Sequence, residues 1–168
     1  MTTAPLTFDP IEEAARQWRA HGWGDAADGM AAVTSLMRAQ AIMLARAEGV
    51  LRPLGLSFAR YELLTLLSFT RRGTLPMAQA GTLLQVHPTS ITNAVSRLEK
   101  AGLVRREPHP SDGRAVLIEI TEQGRALAAE ATKHMNAALF TQPGLSPQRL
   151  RTLFSVIRDL RREAGDFV

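Results

Sequence analysis

Thr89, Ser90, Thr92, Asn93 and Ser96 put four hydroxyls and one amide into a short stretch, with His87 before them and Arg97 and Lys100 after. Ile91, Val95 and Leu98 interleave at i, i+4 and i+7, so a helix here turns those three inward and leaves the polar set outward. A slim face of hydroxyl and amide groups is what a DNA major groove admits, because such groups donate to and accept from base edges. Arg97 and Lys100 suit phosphate oxygens, which position a protein on the duplex without reading its sequence. His87 belongs to the turn that leads into this helix and joins the DNA-facing set.

A second group of residues lies in the loop 108–115. Arg114, beside Gly113, suits an adjacent minor groove, and Asp112, two residues earlier, is placed to orient it or to brace the loop. His109 and Ser111 share that loop with Asp112. Three near neighbours cannot take the positions of nucleophile, base and orienting acid, so no catalytic residue is expected. The histidines His21, His87, His109 and His134 are far apart and lack acidic partners at regular spacing, so neither a metal site nor another cofactor is expected.

The elements that must position these groups follow from capping and periodicity. Asp9-Pro10-Ile11-Glu12 starts a helix with Ile11, Ala15 and Trp18 on one face, interrupted at His21-Gly22-Trp23-Gly24. A long helix over 25–52 follows, in which Met30, Met37, Leu44 and Leu51 recur every seven residues beside Leu36, Met43 and Val50. That double apolar column is broader than one short neighbour needs. Ser57 caps a helix ending near Arg71-Arg72-Gly73, Pro76 opens a short one, and Gln85-Val86-His87 turns into the polar helix begun by Pro88. Two strands at 103–107 and 116–120 flank the basic loop, the second alternating Val116, Ile118 and Ile120 against Leu117 and Glu119. Thr121 caps a helix to about Phe140, and Ser146-Pro147 starts the last, with Leu150, Leu153, Ile157 and Leu160 in 3-4-3 spacing.

Composition narrows the class. The 168 residues are 45% hydrophobic with few aromatics, which suits packed helices better than a large sheet. Eighteen of the 20 basic residues are Arg, and the net charge of +4 favours an anionic partner. With no cysteine, disulfides, thiolate zinc sites and thiol redox sensing are excluded. No signal peptide or membrane-length apolar run is legible, so a soluble cytoplasmic protein without a membrane partner is expected.

His87-Pro88-Thr89-Ser90-Ile91-Thr92-Asn93-Ala94-Val95-Ser96-Arg97-Leu98-Glu99-Lys100-Ala101-Gly102-Leu103-Val104-Arg105-Arg106 resembles the recognition helix and first wing strand of the MarR regulators. Asp112-Gly113-Arg114 resembles their wing motif, and Ile120-Thr121-Glu122-Gln123-Gly124 their strand-to-helix junction. The resemblance implies a mainly α winged helix-turn-helix fold with a small β-hairpin wing. It implies N-terminal helices at 1–56 for dimerisation and a pocket wall, a DNA-binding lobe at 57–121, and C-terminal dimerisation helices at 122–168. It further implies a homodimer that reads a pseudo-palindromic operator in double-stranded DNA and acts as a repressor released by a small aromatic or anionic effector. Trp18, Arg38, Arg60, Tyr61, Glu62 and Arg106 are the candidate effector residues; Arg105 is an alternative to Arg106 as the cation. The urate-responsive subgroup carries an extra N-terminal helix with a Trp, as here, but Glu62 stands where that subgroup has Asp, and Ala94 where it often has Arg. The rival reading is a constitutive DNA-architectural or protein-interaction winged-helix module.

Overall fold

Asp9 accepts the Ile11 N–H on its side chain at 2.8 Å and Pro10 presets the first helical φ, so α1 (Pro10–Ala20) begins at the predicted cap. The computed structural model describes residues 6–112 and 115–168. α1 folds back onto α2 (Gly24–Leu51), whose 28 residues span about 42 Å. A 3₁₀ turn over Arg52–Leu54 ends α2, and α3 (Phe58–Phe69) follows, capped by Ser57. Glu48 ties the two helices together by accepting the Phe58 N–H at 2.8 Å.

After α3 come β1 (Thr74–Pro76), α4 (Met77–Leu84), α5 (Pro88–Lys100), β2 (Val104–Pro108), β3 (Val116–Ile120), α6 (Glu122–Met135) and α7 (Pro147–Glu163). The sequence pattern predicts a two-stranded wing, whereas the sheet has three antiparallel strands in the order β1-β3-β2. Ile118 sits opposite Leu75 on one side and Arg106 on the other. A three-residue strand ending in proline is too short for alternation to announce, and Pro76 is tolerated because β1 lies at the sheet edge. The helix predicted to reach Phe140 also changes character: α6 stops at Met135 and Asn136–Phe140 forms a wider π turn. Thr141 closes it, its N–H and hydroxyl donating to the Asn136 carbonyl at 3.1 and 2.8 Å.

The core gathers Leu63, Leu64 and Leu67 of α3, Ile91, Val95 and Leu98 of α5, and Ile118 and Ile120 of β3. It continues into Ala47 and Leu51 of α2 and Ala128, Ala131 and Met135 of α6, so buried packing runs across positions 56 and 121. The strand-to-helix junction is held closely. Thr121 donates its N–H to Leu103 O at 3.1 Å and its hydroxyl to Gly102 O at 2.8 Å, while its Oγ1 accepts the Gly124 N–H at 3.0 Å. A Cβ at Gly124 would lie 2.1 Å from the Leu103 carbonyl oxygen, so only glycine lets α6 approach the backbone this closely. No helix among the described residues is long and apolar enough to cross a membrane.

Candidate nucleic-acid interface

α5 enters from the turn at Gln85–His87 with its first amides arranged by local chemistry. His87 Nδ1 accepts the Thr89 N–H at 3.2 Å, and Pro88 occupies a position whose missing N–H costs the helix nothing. Ile91, Val95 and Leu98 are buried as predicted. His87, Thr89, Ser90, Thr92, Asn93, Arg97 and Lys100 are exposed on the opposite side. Thr92 spends its hydroxyl proton on the Pro88 carbonyl at 2.8 Å, which leaves it an acceptor toward a partner. Arg97 and Lys100 have no acidic partner among the described residues.

Ser96 differs from its neighbours. It is half-buried, and its Oγ accepts from the Arg106 guanidinium at 2.7 Å. The same guanidinium is ion-paired with Glu99, which also accepts the Arg106 backbone N–H at 3.3 Å. Sequence alone assigns Ser96 to base reading and Arg106 to an effector pocket. The structure brings the two together, with the Arg106 guanidinium between Ser96 and Glu99, as a brace from α5 to β2. Glu99 carries no motif of its own, and the signal that could reveal it is its one-turn spacing from Ser96. Arg105 is engaged as well, across the hairpin to Glu119 at 3.2 Å.

At the wing, the His109 N–H donates to Ala115 O at 3.2 Å, carrying the β2–β3 ladder one step past Pro108 and Val116. His109 Nδ1 lies 3.4 Å from the Ser111 N–H and hydroxyl, so this histidine shapes the loop. Asp112 is exposed in that loop. Arg114, predicted as the minor-groove contact, lies outside the described residues.

The predicted effector residues occupy several environments. Trp18 is half-buried on α1 and meets Trp23 edge-on at 5.5 Å. Among the described residues it has no ring contact or hydrogen bond with Arg38, Arg60, Glu62 or Arg106. Arg38 is exposed on α2, and Arg60 donates from Nε to Ser57 Oγ at 3.1 Å. Tyr61 is a core residue with its hydroxyl 3.2 Å from Thr132 Oγ1. Glu62 is half-buried with no polar partner among the described residues, and burial pushes its carboxyl above the ordinary value.

Away from α5, apolar surface is concentrated on two helices. Every residue from 32 to 46 of α2 is exposed, Met37 at 67%, and α7 buries none of its residues. A cavity of about 450 Å³ runs between them, walled by Val33, Leu36, Leu153, Val156 and Leu160. A second, of about 520 Å³, lies between Met43 and Leu44 of α2, Leu139, Phe140 and Leu150.

Comparison with known proteins agrees with this geometry. Residues 54–115 match the family model described as MarR family. An HTH-type transcriptional regulator of Mycobacterium leprae is 37% identical over 84 residues, which are 50% of this chain and 54% of that protein. The chain thus spans about half the length of the first curated relatives it matches. Sco5413, a MarR family transcriptional regulator from Streptomyces coelicolor, superposes with a TM-score of 0.76 at 45% identity, covering 83% of this chain and 97% of that one. Sco3205, a MarR family regulator of the same organism solved in complex with DNA, gives 0.69 at 26% identity over 79% and 88%. These relatives are regulators rather than enzymes.

Proposed function

We propose, for a chain that belongs to the MarR family of transcriptional regulators, that it binds duplex DNA sequence-specifically through α5 and the wing and acts as a repressor. The observation that carries this reading is the outward face of α5. Thr89, Ser90, Thr92 and Asn93 present hydroxyl and amide groups, with His87 at the turn, and Arg97 and Lys100 stand without acidic partners among the described residues at its far end. In this reading the first four read bases and the two cations hold phosphates. Asp112 and Arg114 serve the wing contact, as the sequence motif suggests. That Sco3205, 26% identical to this chain, was solved in complex with DNA supports the DNA-binding reading. Footprinting on the DNA flanking the coding region tests it: protection of a pseudo-palindrome, with affinity falling steeply with salt, is the expected result. Binding with no sequence preference would favour the architectural module instead, and no duplex binding a protein-interaction module.

We further propose that the functional unit is a homodimer joined through α2 and α7. Supporting this is the apolar surface those helices leave uncovered, including Met37, Phe154 and Val156, each more than 60% exposed. Size-exclusion chromatography with light scattering tests it, and a monomer at micromolar concentration would refute it.

The regulatory reading is release by a small aromatic or anionic effector. Glu62 supports it: a half-buried carboxyl without a polar partner among the described residues is an acceptor available to a ring N–H or hydroxyl. Trp18 offers a stacking face, and Arg38, the arginine in this set without a hydrogen bond among the described residues, a cation. By linkage, an effector that lowers DNA affinity is itself bound more weakly by the DNA complex, by the same factor. Titrating DNA-bound wild type and Trp18→Ala with one effective aromatic carboxylate tests the pocket; equal half-release concentrations would remove Trp18 from it.

A further inference from the structure

Gln85 is the one non-glycine residue among the described residues with a left-handed backbone, at φ 53° and ψ 43°. That conformation is costly for a residue with a Cβ, and glycine or asparagine is its usual occupant at the end of a helix. The backbone duties of the position need no glutamine: its N–H donates to Thr82 O at 3.2 Å and the following Val86 N–H to Gly81 O at 3.1 Å. The side chain does something separate. Its Nε2 donates to the main-chain carbonyl of Asp166 at 2.8 Å, across 81 residues of chain, and its Oε1 lies 3.4 Å from the Arg161 guanidinium. Arg161 is in turn ion-paired with the Asp166 carboxylate.

The tail is shaped to make that contact. Gly165 turns the chain at φ 76°, with its N–H on Arg162 O at 2.9 Å and the Asp166 N–H on Arg161 O at 3.0 Å, a glycine-terminated cap that directs Asp166 back along the end of α7. Phe167 then lies against both guanidiniums, 5.5 Å from Arg161 and 5.6 Å from Arg162. Helix α7, which buries none of its own residues, is thereby pinned to the turn from which α5 starts three residues later.

We propose that Gln85, Arg161 and Asp166 form a latch that fixes the reading lobe against α7, making Gln85 a positioning residue for operator binding. The latch rests on the DNA-reading function proposed above. Two reading helices must stand about 34–36 Å apart, or a multiple of that, to meet successive grooves. A lobe held at one angle before DNA arrives pays less ordering cost on binding than one free to swing. The geometry at Gln85 therefore trades backbone strain for orientation.

Gln85→Gly separates the two roles, because it relieves the left-handed strain and keeps the cap of α4 while removing the latch. Gln85→Asn tolerates the same backbone but is one methylene too short, and gives a second variant with an intact cap. The expected result is thermal stability equal to or above wild type, operator Kd raised about 5- to 10-fold, and a weaker preference among operators with altered half-site spacing. A double variant, Gln85→Gly with Arg161→Ala, should bind no more weakly than the poorer single. In the DNA-free protein, amide exchange over 161–168 should quicken in Gln85→Gly. Unchanged exchange there would overturn the latch whether or not DNA binds. Faster exchange with unchanged Kd and spacing preference would overturn its positioning role. Failure of the wild type to bind any duplex would bring down the DNA-reading proposal instead, leaving exchange to judge the contact itself.

Discussion

Between Leu56 and Ile120 the large apolar side chains close on one another: Leu63, Leu64, Leu67, Val95, Leu98 and Ile118 are all shut off from solvent. Along 32–46 of α2, and at Leu153, Phe154, Val156 and Leu160 of α7, the same residue types face outward. The first region satisfies its hydrophobic surface within one chain, and the second does not. Burying a leucine or valine side chain is worth about 1.5–3 kcal/mol, so a surface carrying Val33, Met37, Ile42, Phe154 and Val156 is expensive to leave wet. The contrast separates two regions. The winged part closes around a core it shares with Ala47 and Leu51 of α2 and with α6. Helices α2 and α7 leave apolar surface uncovered, the surface that a second copy would cover in the proposed homodimer.

The harshest break is deletion of 146–168. It removes α7 and the Gln85 contact while leaving every residue of α3, α4, α5 and the sheet in place. The expected outcome is a monomer whose operator affinity falls by about 10²–10⁴, the usual loss when two linked half-sites become one. Circular dichroism should still report the winged part as folded. A truncated chain that remains a dimer with undiminished binding would place the interface elsewhere.

Leu98→Ala strikes the other side. Leu98 is 1% exposed in the core between α3, α5 and the sheet, and truncating such a leucine costs about 2–5 kcal/mol. Chemical denaturation should show that loss, whereas a dimer joined through α2 and α7, as proposed, should keep its dissociation constant under native conditions, because Leu98 lies on α5 and is buried within the chain. A change in dimer affinity comparable to the change in stability would mean that the two regions are not energetically separate.

A finer cut lies within α5 itself. Asn93→Ala should alter preference at particular bases by about 1–3 kcal/mol, whereas Arg97→Ala should weaken all sequences evenly and reduce the salt slope by about 1. Selection from a randomised operator library reads both. If Asn93→Ala leaves base preference intact, α5 is not the reading element.

How much of this was legible in the sequence depended on the range of the interaction. Caps and helix stripes are local: Asp9, Ser57, Pro88, Thr121 and Ser146 each declare a helix start, and Ile91, Val95 and Leu98 declare the buried face of α5. β1 escaped because three residues ending in Pro76 carry no periodicity, and its strand character comes from pairing with β3 more than forty positions later. Ser96 reads from the sequence as one more outward hydroxyl because Arg106, which donates to it, arrives from the following strand. Gln85 looked like an ordinary turn residue. Only the tertiary fold shows that its backbone is left-handed and its side chain reaches Asp166.

The smallest expected effect falls on Glu62, which sits on α3 of the winged part and is the acidic member of the proposed effector set. Burial without a polar partner among the described residues raises its carboxyl above the ordinary value of 4.5. The sign follows from proton linkage: the folded chain holds the Glu62 proton more tightly than the unfolded chain does. Protonation therefore favours folding. Its contribution is fully present below the unfolded value of 4.5 and is lost as pH rises through the elevated folded value, so ionised Glu62 is a cost near neutrality. Glu62→Gln keeps the shape and removes the charge. Relative to wild type it should gain stability as pH rises from 4 to 7, by well under the cost of a core truncation, while dimer affinity at pH 7 stays unchanged. Urea denaturation of both proteins across that range checks it. A difference that is flat with pH would show that Glu62 pays no burial cost in solution, and would withdraw the unpartnered carboxyl as support for an effector contact.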